Sequence, residues 1–204
     1  IPALLKTRFN ANEILTSLML VYVAVLWLSI LMHGALKDPE GFNFPQSRQF
    51  QPSAQLPILF SQELIPGSRA HVGFLVAVAV VAVATLVAAR HMLGLKVRVL
   101  GEAPRAARFA GFSEKGLTWT CFMISGGLAG LAGLFEAAGP VGQLTPKLPV
   151  GYGFTAIIVA FLGRLSPPGI LAAGLLLAVT YIGGERAQIA MSLPSATTSV
   201  VQGM

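Results

Sequence analysis

A chain of 204 residues with 54% hydrophobic and only 11% charged residues lies far from the roughly 25% charge of a water-soluble domain. Its mean hydropathy of +0.73 points the same way. The formal net charge of +6 does not signal nucleic acid, because the cations fall between apolar spans without aromatic interleaving. The lone Cys121 excludes a disulfide framework and a cysteine metal cluster.

Several uncharged runs reach the length of about 20 residues that a helix needs to cross a hydrocarbon core. They are continuous, whereas the strands of a membrane β-barrel alternate. The expected fold class is therefore all-α, a polytopic transmembrane helical protein with about five membrane segments, some short or broken. A single transmembrane domain is expected over 1–204, and the chain reads as a piece of a longer protein.

In chain order, Lys6, Arg8, Asn10, Asn12 and Glu13 mark a polar opening, with Asn12 placed to cap the first span and Glu13 in its first turn. Ile14 to Leu36 carries no Asp, Glu, Lys or Arg and forms span one. Residues 37–70 are a long polar excursion broken by Pro39, Pro45, Pro52, Pro57 and Pro66, and are expected to form an extracytoplasmic loop. A short surface helix over Ser53 to Phe60 is one reading of its middle, with Pro57 against it. Val72 to Ala89 forms span two, whose length and lack of alternation favour a lipid-buried helix over a strand.

Arg90 to Lys115 holds six of the fourteen cations between two apolar runs, the mark of a cytoplasmic turn. Within it, residues 96–115 are expected to form a cytoplasmic loop placed to touch a partner at the membrane surface. Pro104 opens a short helix there and Gly111 ends it. Arg105 and Arg108 share one face of that helix, while Ala106 and Phe109 offer a small apolar face. Ser113 and Glu114 cap and charge the start of span three, Leu117 to Phe135. In this span Gly126 and Gly130, and Ala129 and Gly133, match the small-xxx-small pattern of close helix packing, which outweighs a ligand role.

Gly139 to Gln143 and Pro146 to Pro149 form a second outer turn. Tyr152 to Leu162 is a short apolar helix ended by Gly163-Arg164, and Ile170 to Ile182 a second, ended by Gly183-Gly184. Both are expected to be short crossings or parts of a broken pair. Met191 to Met204 is expected to start a further helix. Five crossings put Lys6, Arg8, the hinge cations and Arg164 inside, with Lys37, Arg48, Arg69, Lys147 and Arg186 outside, a modest positive-inside bias.

No catalytic constellation emerges. His33, His71 and His91 are dispersed, and the sequence has no His-Glu-x-x-His motif and no phosphate loop. No enzyme activity, metal site or cofactor is expected of this chain.

Four ordered stretches carry a family resemblance: Leu5-Lys6 with Asn12 to Leu20; Lys37 to Gly41 with Phe44 to Ser47; Gly101 to Gly111; and Gly151 to Arg164 followed by Pro168-Gly169-Ile170. Leu193-Pro194-Ser195 and Val201 to Met204 fit as well. Together these stretches resemble the membrane permease subunits of bacterial ABC importers for simple sugars and nucleosides, related more distantly to the ribose and branched-chain amino-acid permeases. The resemblance implies further spans, a second permease subunit, cytoplasmic ABC ATPases, an extracytoplasmic substrate-binding protein, and residence in the bilayer of a bacterial inner membrane. It makes Gly101 to Gly111 the coupling helix, with Pro104, Arg105, Arg108, Phe109 and Gly111 as ATPase-coupling residues. One departure is Ala103, where the family often has a capping Asn.

For the substrate path, the resemblance directs attention to span one, span three and the helix from Tyr152. There Asn12, Glu13, Ser17, Tyr152, Phe154 and Thr155 supply hydrogen-bonding and aromatic groups. For Glu13 and Glu136 an interfacial role outweighs substrate contact. Nucleosides come first among the expected substrates, simple sugars second and branched-chain amino acids third. The competing readings are an ATPase-independent secondary carrier, disfavoured by span centres without Asp or Glu, and a structural membrane protein.

Overall fold

The computed structural model describes residues 1–41, 44–57, 59, 71–146, 148 and 151–191. Eight α-helices follow one another among them: α1 (Pro2–Phe9), α2 (Glu13–His33), α3 (Val72–Arg90), α4 (Met92–Glu102), α5 (Pro104–Phe109), α6 (Glu114–Glu136), α7 (Tyr152–Leu162) and α8 (Pro167–Met191). No strand ladder occurs among the described residues. The chain divides into two compact units, Ile1–Ala77 with Val87–Val150, and Val78–Leu86 with Gly151–Met204.

Four stretches are long and apolar enough to cross a membrane: Glu13–His33, Val72–Arg90, Glu114–Val141 and Pro167–Gly184. At most 11% of any of these windows is buried within the chain. On α2, Leu15, Met19, Tyr22, Leu26, Trp27 and Ile30 are all exposed. Such surface is untenable in water and suits lipid or neighbouring helices, where only internally bonded backbone is stable. The protein is an all-α, multi-pass membrane protein.

In the first unit, Asn12 caps α2 as its sequence position demands, its Oδ1 accepting from Ile14 N at 2.9 Å and Leu15 N at 3.3 Å. The short α1 folds back onto α6, burying Ala3, and Trp119 Nε1 donates to Thr7 Oγ1 at 3.3 Å. Lys6 Nζ lies 2.7 Å from Glu13 Oε2, tying α1 to the start of α2. At the far end of α6 the helix widens into a π turn over Ala137–Val141 and stops at Gly142, where φ is +68°.

The second unit contains α7 and α8, folded as a hairpin. The α7 end is closed by two hydrogen bonds, Arg164 N to Phe161 O and Leu165 N to Ala160 O, both 2.9 Å. This is the Schellman arrangement. Gly163 and Gly169 meet so closely that a Cβ on either would collide with the opposing backbone.

Three sequence expectations change. The stretch from Ser53 holds only a three-residue 3₁₀ turn, Pro52–Ala54, and the backbone is extended by Gln55; Pro57 denies a longer helix its amide. Ile58 and Phe60 lie outside the described residues. The basic connection after α3 is itself helical over Met92–Glu102, because its apolar residues recur at helical spacing and Pro104 stops the run one residue later.

The last apolar run does not end at Gly183-Gly184. It continues as the 25-residue α8, since in a membrane every backbone group must stay bonded and interior glycines cost only about 1 kcal/mol each. The shorter α7 has 11 residues and a length of about 16 Å, half a hydrocarbon core. It is therefore a partial segment beside four long ones, in keeping with the expected five segments of which some are short or broken. The expected helix over Met191 to Met204 lies beyond Met191, outside the described residues.

Candidate functional site

The site begins at the basic hinge between α3 and α6. Ala103 leaves the helical region at φ −142°, ψ 73°, and Pro104 restarts the chain as the six-residue α5. Pro104 suits this place because an amide at the first helical position has no partner to lose. The helix ends on Gly111 at φ +75°. Gly111 N bonds to Arg108 O and Phe112 N to Ala107 O, both at 3.0 Å. A left-handed residue is needed here, and glycine adopts it without a Cβ clash.

This geometry sorts the five hinge residues. Ala107 is fully buried and faces the body of the unit. Phe109 stands on the other side with 94% of its surface exposed. Arg105 precedes Phe109 by one helical turn and shares its face. Arg108 is engaged within the chain, its Nη2 donating to Glu114 Oε2 at 2.7 Å. Both partners of that pair are substantially exposed, so in water it contributes at most about 1 kcal/mol. It does, however, fasten α5 to the first residue of α6. Ser113 Oγ caps α6 by accepting from Gly116 N at 3.2 Å, and Lys96 Nζ lies 5.6 Å from the Phe112 ring centroid, bracing α4 against the same turn. The hinge therefore presents Arg105 and Phe109 outward on a base fixed from three sides.

At the opposite end of the first unit the 37–57 segment is a fastened structure. Gly41 N donates to Asp38 O at 3.3 Å, closing the Asp38-Pro39-Glu40-Gly41 turn, and Asp38 N donates to Gln46 O at 2.8 Å. Ser47 N donates to Leu144 O, Leu144 N donates to Ser47 Oγ, and Phe50 N donates to Gly142 O, each at 2.9 Å. Leu56 N donates to Ala138 O at 3.0 Å. The His71 ring caps α3 through Nδ1 and lies against Gly139, where a Cβ would come within 2.7 Å of it. Between these segments lies an apolar cleft of about 540 Å³ lined by Phe50, Gly133, Ala137, Leu144 and Leu148. Beside it lies a more polar one of about 430 Å³ that includes Lys37, Ser47 and Arg48.

The sequence-derived path residues fall into two groups. Asn12, Glu13 and Ser17 lie at the start of α2, where the oxygen of Asn12 is spent on the helix cap and Glu13 is paired with Lys6. Tyr152, Phe154 and Thr155 lie in the first turn of α7, with Tyr152 and Phe154 each more than half exposed. The glycine stripe of α6 is open: a Cβ at Gly126, Gly130 or Gly133 would meet no described atom within 4 Å. Among the described residues no group of three His, Cys, Asp or Glu side chains gathers as a metal site.

Sequence reasoning missed the loop clasp and the two clefts. Ser47 and Leu144 are 97 positions apart, and nothing local to either residue announces its partner.

Comparison with known proteins yields one family and a set of relatives. The family described as the permease component of branched-chain amino acid transport systems matches residues 1–204. The glucose ABC transporter permease protein of Haloferax volcanii is 38% identical, covering 100% of this chain and 55% of its own length. The guanosine ABC transporter permease protein of Bacillus subtilis is 29% identical over 98% of this chain and 57% of its own length. A nucleoside ABC transporter permease protein of Lactococcus lactis is 25% identical over 90% of this chain. The chain thus spans about half the length of the curated relatives it matches. No solved structure matches.

Proposed function

The chain belongs to the permease-component family of ABC transport systems, and from that premise we propose that it forms part of the membrane path of an importer for a neutral, hydroxyl-rich solute, a simple sugar or a nucleoside. Energy comes from a partner. A cytoplasmic ATPase receives α5, a second permease subunit completes the path, and an extracytoplasmic binding protein delivers the solute to the 37–70 side. The membrane is the inner, or plasma, membrane of a bacterium.

The observation that carries this reading is the exposed face of α5. An aromatic ring left 94% exposed beside an arginine, on a helix stopped by Pro104 and Gly111 and held rigid from behind, is a preformed contact for an apolar pocket with an acidic rim. Arg105 and Phe109 make that contact. Pro104 and Gly111 set its limits, and Arg108 holds it to α6. Binding aromatic and arginine anchors is where interface energy concentrates.

For the path, Tyr152, Phe154 and Thr155 offer an aromatic surface and a hydroxyl in the first turn of α7, fit for a sugar or base. Ser17 adds a hydroxyl in α2. Asn12 and Glu13, committed to a cap and an ion pair, hold the entrance of α2 in shape. Gly126, Gly130 and Gly133 form the close-contact stripe for a neighbouring helix. The acidic residues of α2 and α6 lie at the helix ends, at Glu13, Glu114 and Glu136, which leaves no ion-coupling carboxylate in those span centres and disfavours a secondary carrier.

Uptake tests the reading. The full-length permease, reconstituted in proteoliposomes with its partner subunits, is expected to accumulate labelled guanosine or glucose only when ATP is enclosed with the ATPase. Uptake that proceeds without ATP and follows an imposed ion gradient would contradict it.

A further inference from the structure

The first unit is organised so that one helix meets both of its working ends. At the hinge end, the first residue of α6, Glu114, holds Arg108 of α5 at 2.7 Å. Trp119, one turn further on, holds α1 through Thr7. At the loop end, the turn that closes α6 carries Ala138, Gly142 and Leu144. Their backbones bond Leu56, Phe50 and Ser47 of the loop. Between these ends α6 is an unbroken helix of 23 residues, about 35 Å long, with a cap at one end and a π turn at the other.

Ser47 stands out in this arrangement. It is the buried polar residue of the described chain, 7% exposed. Its backbone N–H donates to Leu144 O while its hydroxyl accepts from Leu144 N. One residue thus satisfies both backbone groups of Leu144. Its hydroxyl is engaged within the chain, donating to Arg48 O at 3.0 Å while it accepts from Leu144 N, so its chemistry is directed inward. A hydrogen bond shielded from water is worth more than one on the surface, and it is costly to leave half-made.

We propose that Ser47 is a positioning residue that clasps the extracytoplasmic loop to the end of α6, so that a load applied to the loop by the substrate-delivering protein is carried along α6 to Glu114, Arg108 and the coupling helix. This inference rests on the transport reading above. The loop acts as a lever joined to a strut through Ser47, Phe50 and Leu56. The two sites it links are the loop face outside and the Arg105–Phe109 face inside. The element both bias is α6, which a helix can shift as one body. Two further fastenings, Phe50 to Gly142 and Leu56 to Ala138, lie nearer the helix, so loss of the Ser47 hydroxyl loosens the outer part of the loop without unfolding α6.

The experiment uses the complete transporter in lipid nanodiscs, as wild type, Ser47→Ala and Ser47→Thr. ATP hydrolysis is measured with and without the solute-loaded binding protein. Ser47→Ala is expected to assemble and to keep basal hydrolysis, while stimulation by the binding protein falls about 5-fold or more, the lower end of ordinary coupling between sites. Ser47→Thr keeps the oxygen and retains stimulation. In parallel, hydrogen exchange at the Leu144 amide is expected to accelerate in Ser47→Ala while amides in the middle of α6 stay protected. An assembled Ser47→Ala complex stimulated as strongly as wild type would overturn the relay alone. Unchanged exchange at Leu144 would overturn the clasp. Wild-type permease that captures no ATPase would overturn the transport reading, and the relay with it.

Discussion

Arg164 occupies a backbone position that helices closing in the left-handed region usually give to glycine. It follows the cap of α7 at φ +53°, inside the same pair of hydrogen bonds that closes α5, where Gly111 stands at φ +75°. A non-glycine residue in the left-handed region is less stable by roughly 1–2 kcal/mol. The two ends therefore predict opposite effects. Arg164→Gly is expected to raise the thermal midpoint of the protein in detergent, by the equivalent of about 1 kcal/mol, and Gly111→Ala to lower it by a similar amount. A single melting series checks both, and a gain from each or a loss from each would refute the shared geometry. An arginine at position 164 then needs a reason other than local stability, and a cation at a turn expected on the cytoplasmic side supplies one. Of these residues, Asn12, Ser113 and Gly111 were legible from their own neighbourhoods, because capping chemistry acts over three or four positions. Ser47 was not. Its hydroxyl acquires meaning only when Leu144 arrives.

At the scale of elements, length decides what a helix is able to do. The 21, 19 and 23 residues of α2, α3 and α6 suffice to cross a bilayer, whereas the 11 of α7 do not. With Arg164 at the cytoplasmic surface, as the charge bias predicts, a helix about 16 Å long would place Gly151 and Tyr152 near the bilayer midplane, where path residues of a transporter are expected. In a Cys121→Ser background, Arg164→Cys is expected to react with a membrane-impermeant thiol reagent applied from the cytoplasm. Gly151→Cys, by contrast, should react slowly from either side unless a solute pathway is open. Fast labelling of Gly151→Cys from outside in a closed transporter would move α7 to the outer surface.

The length of uncharged run that revealed α2, α3 and α6 was legible because each is bounded by caps or charges. It failed for α8, which runs through Gly183 and Gly184 to Met191, because breaker signals read from soluble proteins lose force where water is absent to satisfy a broken backbone. It also failed for α4, where Lys96 and Arg98 hid a helical run among charges. Lys96 in fact lies over the Phe112 ring.

For the whole molecule, the exposed apolar surface and the family match belong to one account. The long helices leave their outer faces uncovered, the α6 glycine stripe is open, and the chain spans about half the length of its curated relatives. Family membership was legible in the ordered stretches from Asn12 to Arg164, whereas substrate identity was not. The relatives named for glucose and for guanosine both match across nearly the whole chain. The central claim, that the α5 face is where a partner ATPase takes hold, is tested most directly by capture. The full-length permease is purified in detergent with its cognate ATPase, as wild type and as the double variant Arg105→Glu, Phe109→Ala, with folding of both checked by thermal melting. The account predicts that the wild type retains the ATPase and that the folded double variant loses at least about nine-tenths of it, the loss expected when two central anchors of an interface are removed. Equal capture by both would contradict the claim.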